Sequence, residues 1–362
     1  MFVIALFPGG YSVATITIKD IARAVGVNVA TVSRALNNQD GVSEGVRDRI
    51  KAVASEMGYQ PNALARSLVK SRSNTIGFLM PDLGNPFFVE VATAVRDSVF
   101  ARGYTLVMFD SHWDREMEAN QLRYLEQQRV DGLIMKSPDR TLEHVQPYPF
   151  PVVFISVSGS DRFSTIDTDN FYGGFLAGEA LARCGYERIA YFGSRQDPPT
   201  SFLRREGCRS AMRLYGLAER ESRFVEGEFS IDSGRRLLRA MLRSRERPDA
   251  VFCANDMIAL GVLEEAAVRG LRIPDDFGVI GFDNSAMSSL GIIMLSTVAQ
   301  QGAEMGAEIA DMLMLSLRGG DGWQSESRVI QPRLILRKTT RAVEPYDPTP
   351  SESLTRPTLR VN

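Results

Sequence analysis

From residue 73 onward, short apolar runs alternate with amphipathic helical stretches, and this alternation constrains the fold most tightly. Runs at 75–80, 105–110, 132–136 and 152–157 form one series, and runs at 188–193, 250–254 and 279–282 form a second. Helical periodicity fills the gaps. Over 88–102, Val91, Ala94, Val95, Ser98 and Val99 share one face, and further helices are predicted at about 174–184, 200–215, 232–243 and 256–269. Strand and helix in alternation require a mostly parallel sheet covered on both faces. Two series predict two similar halves, each a Rossmann-like layer sandwich. Such sheets bind ligands beyond the carboxyl ends of their strands. Two halves facing each other make a cleft that a hinge can close.

Polar residues sit where that cleft needs them. Asn85 and Phe87 follow the first strand, and Asp110 ends the second. Ser156 is at the end of the fourth, and Asn255 and Asp283 end two strands of the second series. Arg204 is expected in the first turn or so of a helix beginning near Thr200, a place that can hold an anion or an oxygen-rich group. Taken singly, each residue reads as a cap or a surface charge, and for Asp256 the cap reading is better. Their shared location makes Asn85, Phe87, Arg204, Asn255 and Asp283 a candidate ligand site, with Asp110, Ser156, Thr200 and Gln300 completing the set.

The first sixty residues follow different rules. Thr17 and Asp20 have the spacing of a capping box, and Ile18, Ile21, Ala22 and Val25 then share a helical face. Gly26 stops this helix. Asn28 caps a second, with Val27 and Val32 at hydrophobic-staple spacing. Val32, Ala35 and Leu36 point inward, leaving Val29, Ala30, Ser33, Arg34 and Asn37 on the outer face. A third helix runs from Ser43, burying Val46, Ile50, Val53 and Met57, with Gly58 beyond its end.

Two short helices joined by a glycine turn make a helix-turn-helix. Small residues on the second helix let it lie deep in a major groove, where Arg34 can bond guanine bidentately. Residues 16–72 carry nine basic and five acidic side chains, a charge of +4 in a chain of −2. Phosphate neutralisation needs such local positive charge. The competing reading is a plain three-helix bundle whose basic face is only solvated. In the segment that follows, Pro61 and Asn62 can begin a short helix, and Ala65 and Leu68 lie three apart on one face. That pairing suits a wedge in a minor groove, although spacing alone favours an ordinary interdomain linker.

Residues 17–22, Gly26-Val27, residues 31–37, Tyr59, Pro61-Asn62 and residues 65–68 resemble the LacI/GalR family of bacterial transcription regulators, and the likeness continues to residue 340. The resemblance implies an all-α helix-turn-helix head (16–60), a hinge helix (61–72) and a periplasmic-binding-protein-like core of two subdomains (73–341) that binds an effector and dimerises. It implies that Val29, Ala30 and Arg34 read bases, and that Leu68, beside Ala65, enters the minor groove of operator DNA. Thr17, Asn28, Thr31, Ser33, Asn37, Asn62 and Arg66 join the implied DNA-binding set. Asn28 stands where the family more often has serine. The implied effector is a sugar or sugar derivative. Ser156 and Val157 stand where many relatives carry aspartate and arginine, which weighs against an ordinary neutral sugar. Arg195, Arg204 and Arg205 leave room for an acidic one. A member of the family tetramerises through a C-terminal leucine heptad. Residues 342–362, rich in Pro, Ser and Thr, lack it and read as disordered, which implies a homodimer on a pseudo-palindromic site.

Composition excludes other classes. No apolar run is long enough to span a bilayer. Cys184, Cys208 and Cys253 are an odd, widely spaced set, which fits a reducing cytosol. Residues 1–15 begin apolar, but they lack a basic start and Pro8 interrupts them, so they read as a loose extension rather than a signal peptide. The only histidines, His112 and His144, have no metal-ligand spacing, and there is no nucleophile elbow or phosphate loop. Neither catalysis nor a cofactor is expected. The serious alternative is a solute-binding protein for transport, which the large domain alone allows and the basic helical head argues against.

Overall fold

The computed structural model describes residues 16–59, 72–137, 145, 148–156, 163–220, 223–245, 247–319, 324–343 and 347–357. The chain divides into two compact units, at Ser73 and Asn74.

The first unit holds helices α1 (Ile18–Val25), α2 (Val29–Leu36) and α3 (Glu44–Glu56). The Asp20 carboxylate accepts from the Thr17 backbone N–H at 3.0 Å and from its hydroxyl at 2.7 Å, the predicted capping box. Gly26 ends α1 at φ +78°, a conformation costly for any residue with a Cβ. Asn28 caps α2, its side-chain oxygen accepting from Thr31 N at 2.7 Å. Ile21, Val25, Val32, Ala35, Ile50 and Ala54 form the core, with Val46, Val53 and Met57 packed against it. Full burial of each Ile or Val contributes about 1.5–3 kcal/mol.

The second unit contains two six-stranded sheets. Sheet one comprises β1 (Thr75–Met80), β2 (Thr105–Asp110), β3 (Gly132–Met135), β4 (Val152–Ile155), β5 (Ser164–Thr168) and β11 (Ser327–Ile330), in the order β11-β5-β4-β3-β1-β2 and all parallel. Sheet two comprises β6 (Ile189–Ser194), β7 (Phe224–Gly227), β8 (Ala250–Cys253), β9 (Gly278–Asp283), β10 (Ser296–Ala299) and β12 (Arg333–Ile335), in the order β12-β10-β9-β8-β6-β7. Only β12 runs antiparallel to its neighbour. The covering helices are α4 (Pro86–Phe100), α5 (Arg115–Gln127), α6 (Asn170–Arg183), α7 (Pro198–Leu214), α8 (Ile231–Met241), α9 (Asp256–Val268) and α10 (Gly302–Gly319).

The chain passes between the sheets three times: from β5 into α6, from β10 into α10, and from β11 into β12. These crossovers join the two sheets, and any bending of one half against the other turns about them. Two pairings tie them together. Thr168 Oγ1 donates to Gln300 Oε1 at 2.9 Å, and Asp169 N donates to Ile330 O at 3.0 Å.

Expectation and structure part at some points. The tail read as disordered is ordered over 347–357, because its polar groups meet buried carboxylates on α6 (Thr349 on Glu179, Ser351 and Arg356 on Asp169). Asp256 is no cap. Asn255 caps α9, while the Asp256 carboxylate, wholly buried, accepts from Ser285 N and Thr297 Oγ1 at 2.7 Å each and braces β9 and β10. The expected extension 1–15, most of the hinge segment 61–72, and Val157 lie outside the described residues.

Candidate functional site

On the head, the outer face of α2 is the candidate nucleic-acid interface. Val29, Ala30 and Arg34 are exposed there, while Thr31, Ser33 and Asn37 are half-buried. Thr31 donates its hydroxyl to Asn28, and the Asn37 amide bonds the Ser33 carbonyl at 2.8 Å. Those two side chains are therefore partly committed to the helix, whereas Val29, Ala30 and Arg34 present their surface outward. Asn62, Ala65, Arg66 and Leu68 lie outside the described residues.

In the core, a cleft lies between the carboxyl ends of the two sheets. Asn85, Phe87, Ser156, Thr200, Arg204, Asn255, Asp283 and Gln300 all line it, as expected. Asp110 does not. Its carboxylate accepts from Leu83 N at 3.0 Å and His112 N at 2.9 Å, so it braces the loops that carry Asn85 and Trp113. Phe88, Trp113, Lys136, Asp197 and Phe229 line the cavity without having been anticipated.

Arg204 dominates the floor. It lies in the second turn of α7, which begins at Pro198 rather than near Thr200. Helices α6 and α7 touch through glycines. A Cβ on Gly174 would lie 2.0 Å from the Arg204 carbonyl, and one on Gly207 would lie 2.0 Å from the Phe171 carbonyl. That close crossing sinks Arg204 to 4% exposure. Its Nε donates to Asn170 Oδ1 at 2.9 Å, another guanidinium N–H donates to the Ala254 carbonyl, and the group lies 3.6 Å from the centre of the Phe282 ring. Burial pulls its pKa down from the ordinary value, and Asp283 is the chief group opposing that.

Asp283 ends β9 in a left-handed conformation, φ +115°. Gln300 Nε2 donates to its Oδ1 at 2.5 Å, so one side chain joins the cavity floor to the hinge contact with Thr168. Asp283 Oδ2 and Asn255 Nδ2 are buried and make no well-formed hydrogen bond within the protein, although the Asn85 amide stands close enough to the Asp283 carboxyl to favour its charged form. Such groups are costly unless something meets them. Burial holds Asp283 and Asp256 above the ordinary carboxylate range, and pushes Asp167 up to about 6.

Raised carboxylates give the native core more bound protons than the unfolded chain. Their contribution to stability is greatest below the unfolded carboxylate range, falls as pH rises through it, and stops falling once the native groups ionise; Glu265 and Asp276, held down to about 2 by Arg239 and Arg272, contribute with the opposite sign, but below about pH 4. The core is expected to lose stability from about pH 4 upward, and Asp283→Asn to flatten that slope. Denaturant melts of both proteins from pH 4 to pH 9 check it; parallel profiles would count against a raised Asp283.

Two contacts close the cavity from opposite halves. Lys136 Nζ, just beyond β3, lies 2.7 Å from the carboxylate of Asp197, the residue that caps α7, and both side chains are nearly buried. Burial raises the Asp197 pKa, but Lys136 and the bond from Thr200 outweigh it and hold the group below its ordinary value. Trp113 and Phe229 meet with ring centres 6.0 Å apart. The two halves thus touch across the cavity at these two places.

Of the three arginines that suggested an acidic ligand, only Arg204 lines the cavity. Arg205 pairs with Glu206 and Glu226, and Arg195 is exposed. The other lining cation, Lys136, is already matched by Asp197.

The model of bacterial regulatory proteins of the lacI family matches residues 17–62, and that of periplasmic binding protein-like domains matches residues 179–340. The HTH-type transcriptional repressor PurR of Erwinia tasmaniensis is 34% identical over 336 residues, covering 91% of this chain and 98% of the relative. A lac repressor dimer bound to operator and the anti-inducer ONPF superposes with a TM-score of 0.79 at 27% identity, covering 91% of this chain and all of that one. The regulator CelR in complex with cellobiose superposes at 0.68, also at 27% identity, covering 90% of this chain and 99% of that one.

Proposed function

The chain belongs to the LacI family of bacterial transcription regulators, and on that premise we propose that it acts as a homodimeric repressor whose grip on operator DNA is set by a small molecule in the core cleft. The head supplies recognition. Arg34 and the small residues Val29 and Ala30 face outward on α2, where a recognition helix meets base edges. The solved relative bound to operator is itself a dimer, and a dimer of this chain reads a roughly palindromic site. Among the described residues no helix is long and apolar enough to cross a membrane, and action on DNA fits a cytosolic protein.

The observation that carries the ligand reading is the pair of unmet buried atoms, Asn255 Nδ2 and Asp283 Oδ2, in a cavity that two half-domains close. Asn255 Nδ2 is a donor, and Asp283 Oδ2 accepts when ionised and donates when protonated; both stand beside a buried guanidinium and four aromatic side chains. That set fits a hydroxyl-bearing ring: edges bonded by the floor, apolar faces against Phe87, Phe88, Trp113 and Phe229. A sugar or sugar derivative meets it, and the matched charges of Lys136 and Asp197 favour an uncharged one over an acid. A ligand that bonds both halves stabilises closure, and a ligand alters operator affinity to the extent that it binds the two states differently. No catalytic role is assigned; the chemistry is binding.

Selection from random DNA with the full-length protein tests the regulator reading. A near-palindromic consensus is expected, with binding that weakens as salt rises. Recovery of unrelated sequences, or no retention above background, would overturn it. Screening neutral sugars, uronates and phosphosugars by thermal shift tests the ligand class, and stabilisation by the acidic members alone would refute the neutral assignment.

A further inference from the structure

Residues 347–357, beyond the last strand, bond two buried carboxylates of the core. Asp169 caps α6 and stands at the first crossover between the halves. Its side chain is 2% exposed. Oδ1 accepts from Tyr172 N at 3.0 Å and from Arg356 at 2.9 Å, and Oδ2 accepts from Arg356 at 2.6 Å and from Ser351 Oγ at 3.1 Å. This is a bidentate guanidinium–carboxylate pair, the strongest geometry available to these groups. Further along the same helix, buried Glu179 accepts from Thr349 N at 3.3 Å and from its hydroxyl at 2.7 Å. Two buried carboxylates of α6 thus find partners in one short polar segment, and Arg356 also lies 5.8 Å from the centre of the Phe171 ring.

The place matters as much as the contacts. The neighbouring Thr168 bonds Gln300 at the second crossover, and the backbone N–H of Asp169 bonds the Ile330 carbonyl at the third. Gln300 in turn holds Asp283 on the cavity floor. All three crossovers therefore meet within a residue or two of the carboxylate that Arg356 grips. A hinge moves by changes in backbone dihedrals at a few such residues. A carboxylate held on both oxygens opposes rotation at its own residue.

We propose that residues 347–357 are a strap that docks on α6 through Asp169 and Glu179 and restrains the hinge of the core. Its occupant is this chain's own segment, held by charge-assisted bonds, and salt that screens exposed Arg356 loosens it. The strap stands independently of what binds in the cleft.

Amide hydrogen exchange on the full-length protein tests it, with Arg356→Ala and the charge-conserving Arg356→Lys. Arg356→Ala is expected to speed exchange of the Asp169, Tyr172 and Gly173 amides by about tenfold or more, the scale of a lost bidentate pair, with a smaller gain for Arg356→Lys. The Met305 amide at the second crossover should follow, while β8 amides stay unchanged. Loss of protection at Thr349 and Leu354 alone, with Asp169 and Met305 unmoved, would show a docked segment with no hold on the hinge and would overturn the proposal. Unprotected Thr349 in the wild-type protein would overturn it as well.

Discussion

Arg204→Ala is expected to abolish ligand binding in the cleft while leaving operator recognition in place. The guanidinium is almost fully buried, bonded to Asn170 and Ala254, and faces the cavity beside Asp283. Truncating one member of a buried charged network weakens binding by about a hundredfold or more. Stability should fall too, since the Asn170 side chain and the Ala254 carbonyl lose their donors, at about 1–3 kcal/mol for each group left unsatisfied. Arg204→Lys keeps a charge but not the planar fork, and is expected to recover little. Calorimetric titration with the screened ligand measures the first effect and denaturant unfolding the second. Ligand affinity unchanged in Arg204→Ala would place the ligand elsewhere.

Arg34→Ala should cost the head its discrimination between operator and unrelated DNA. Arginine bonding guanine bidentately contributes about 1–3 kcal/mol of base discrimination, or roughly ten- to a hundredfold. Affinity for unrelated DNA should fall only slightly, since one positive charge is lost among many. Competition binding with the selected operator and a scrambled duplex measures the ratio. An unchanged ratio would remove Arg34 from the reading face.

The head was legible because its signals are local. Thr17, Asp20, Gly26 and Asn28 act on the backbone within four residues of themselves, and each does in the fold what its spacing implied. The cavity was legible wherever a buried strand announced its own end. Asn85, Asn255 and Asp283 follow apolar runs that only a central strand explains. Lys136 carries the same signal, one residue beyond the buried strand β3. Phe229 had none, because β7 is a four-residue strand at a sheet edge whose pairing depends on β6. Neither did β11 and β12. These are short strands that add to sheets built elsewhere in the chain. Asp197 caps α7, and only the fold brings Lys136 to it. The segment 347–357 misled because composition reports on self-burial, and its order comes from carboxylates supplied by α6.

The most direct measurement is the affinity of the full-length protein for its selected operator with and without the ligand found by screening, at fixed salt. The account predicts a shift of about tenfold or more, the usual scale of coupling between distinct sites, and no shift in Arg204→Ala. A ligand that binds the cleft and leaves operator affinity unchanged would contradict the claim that cleft and head are coupled.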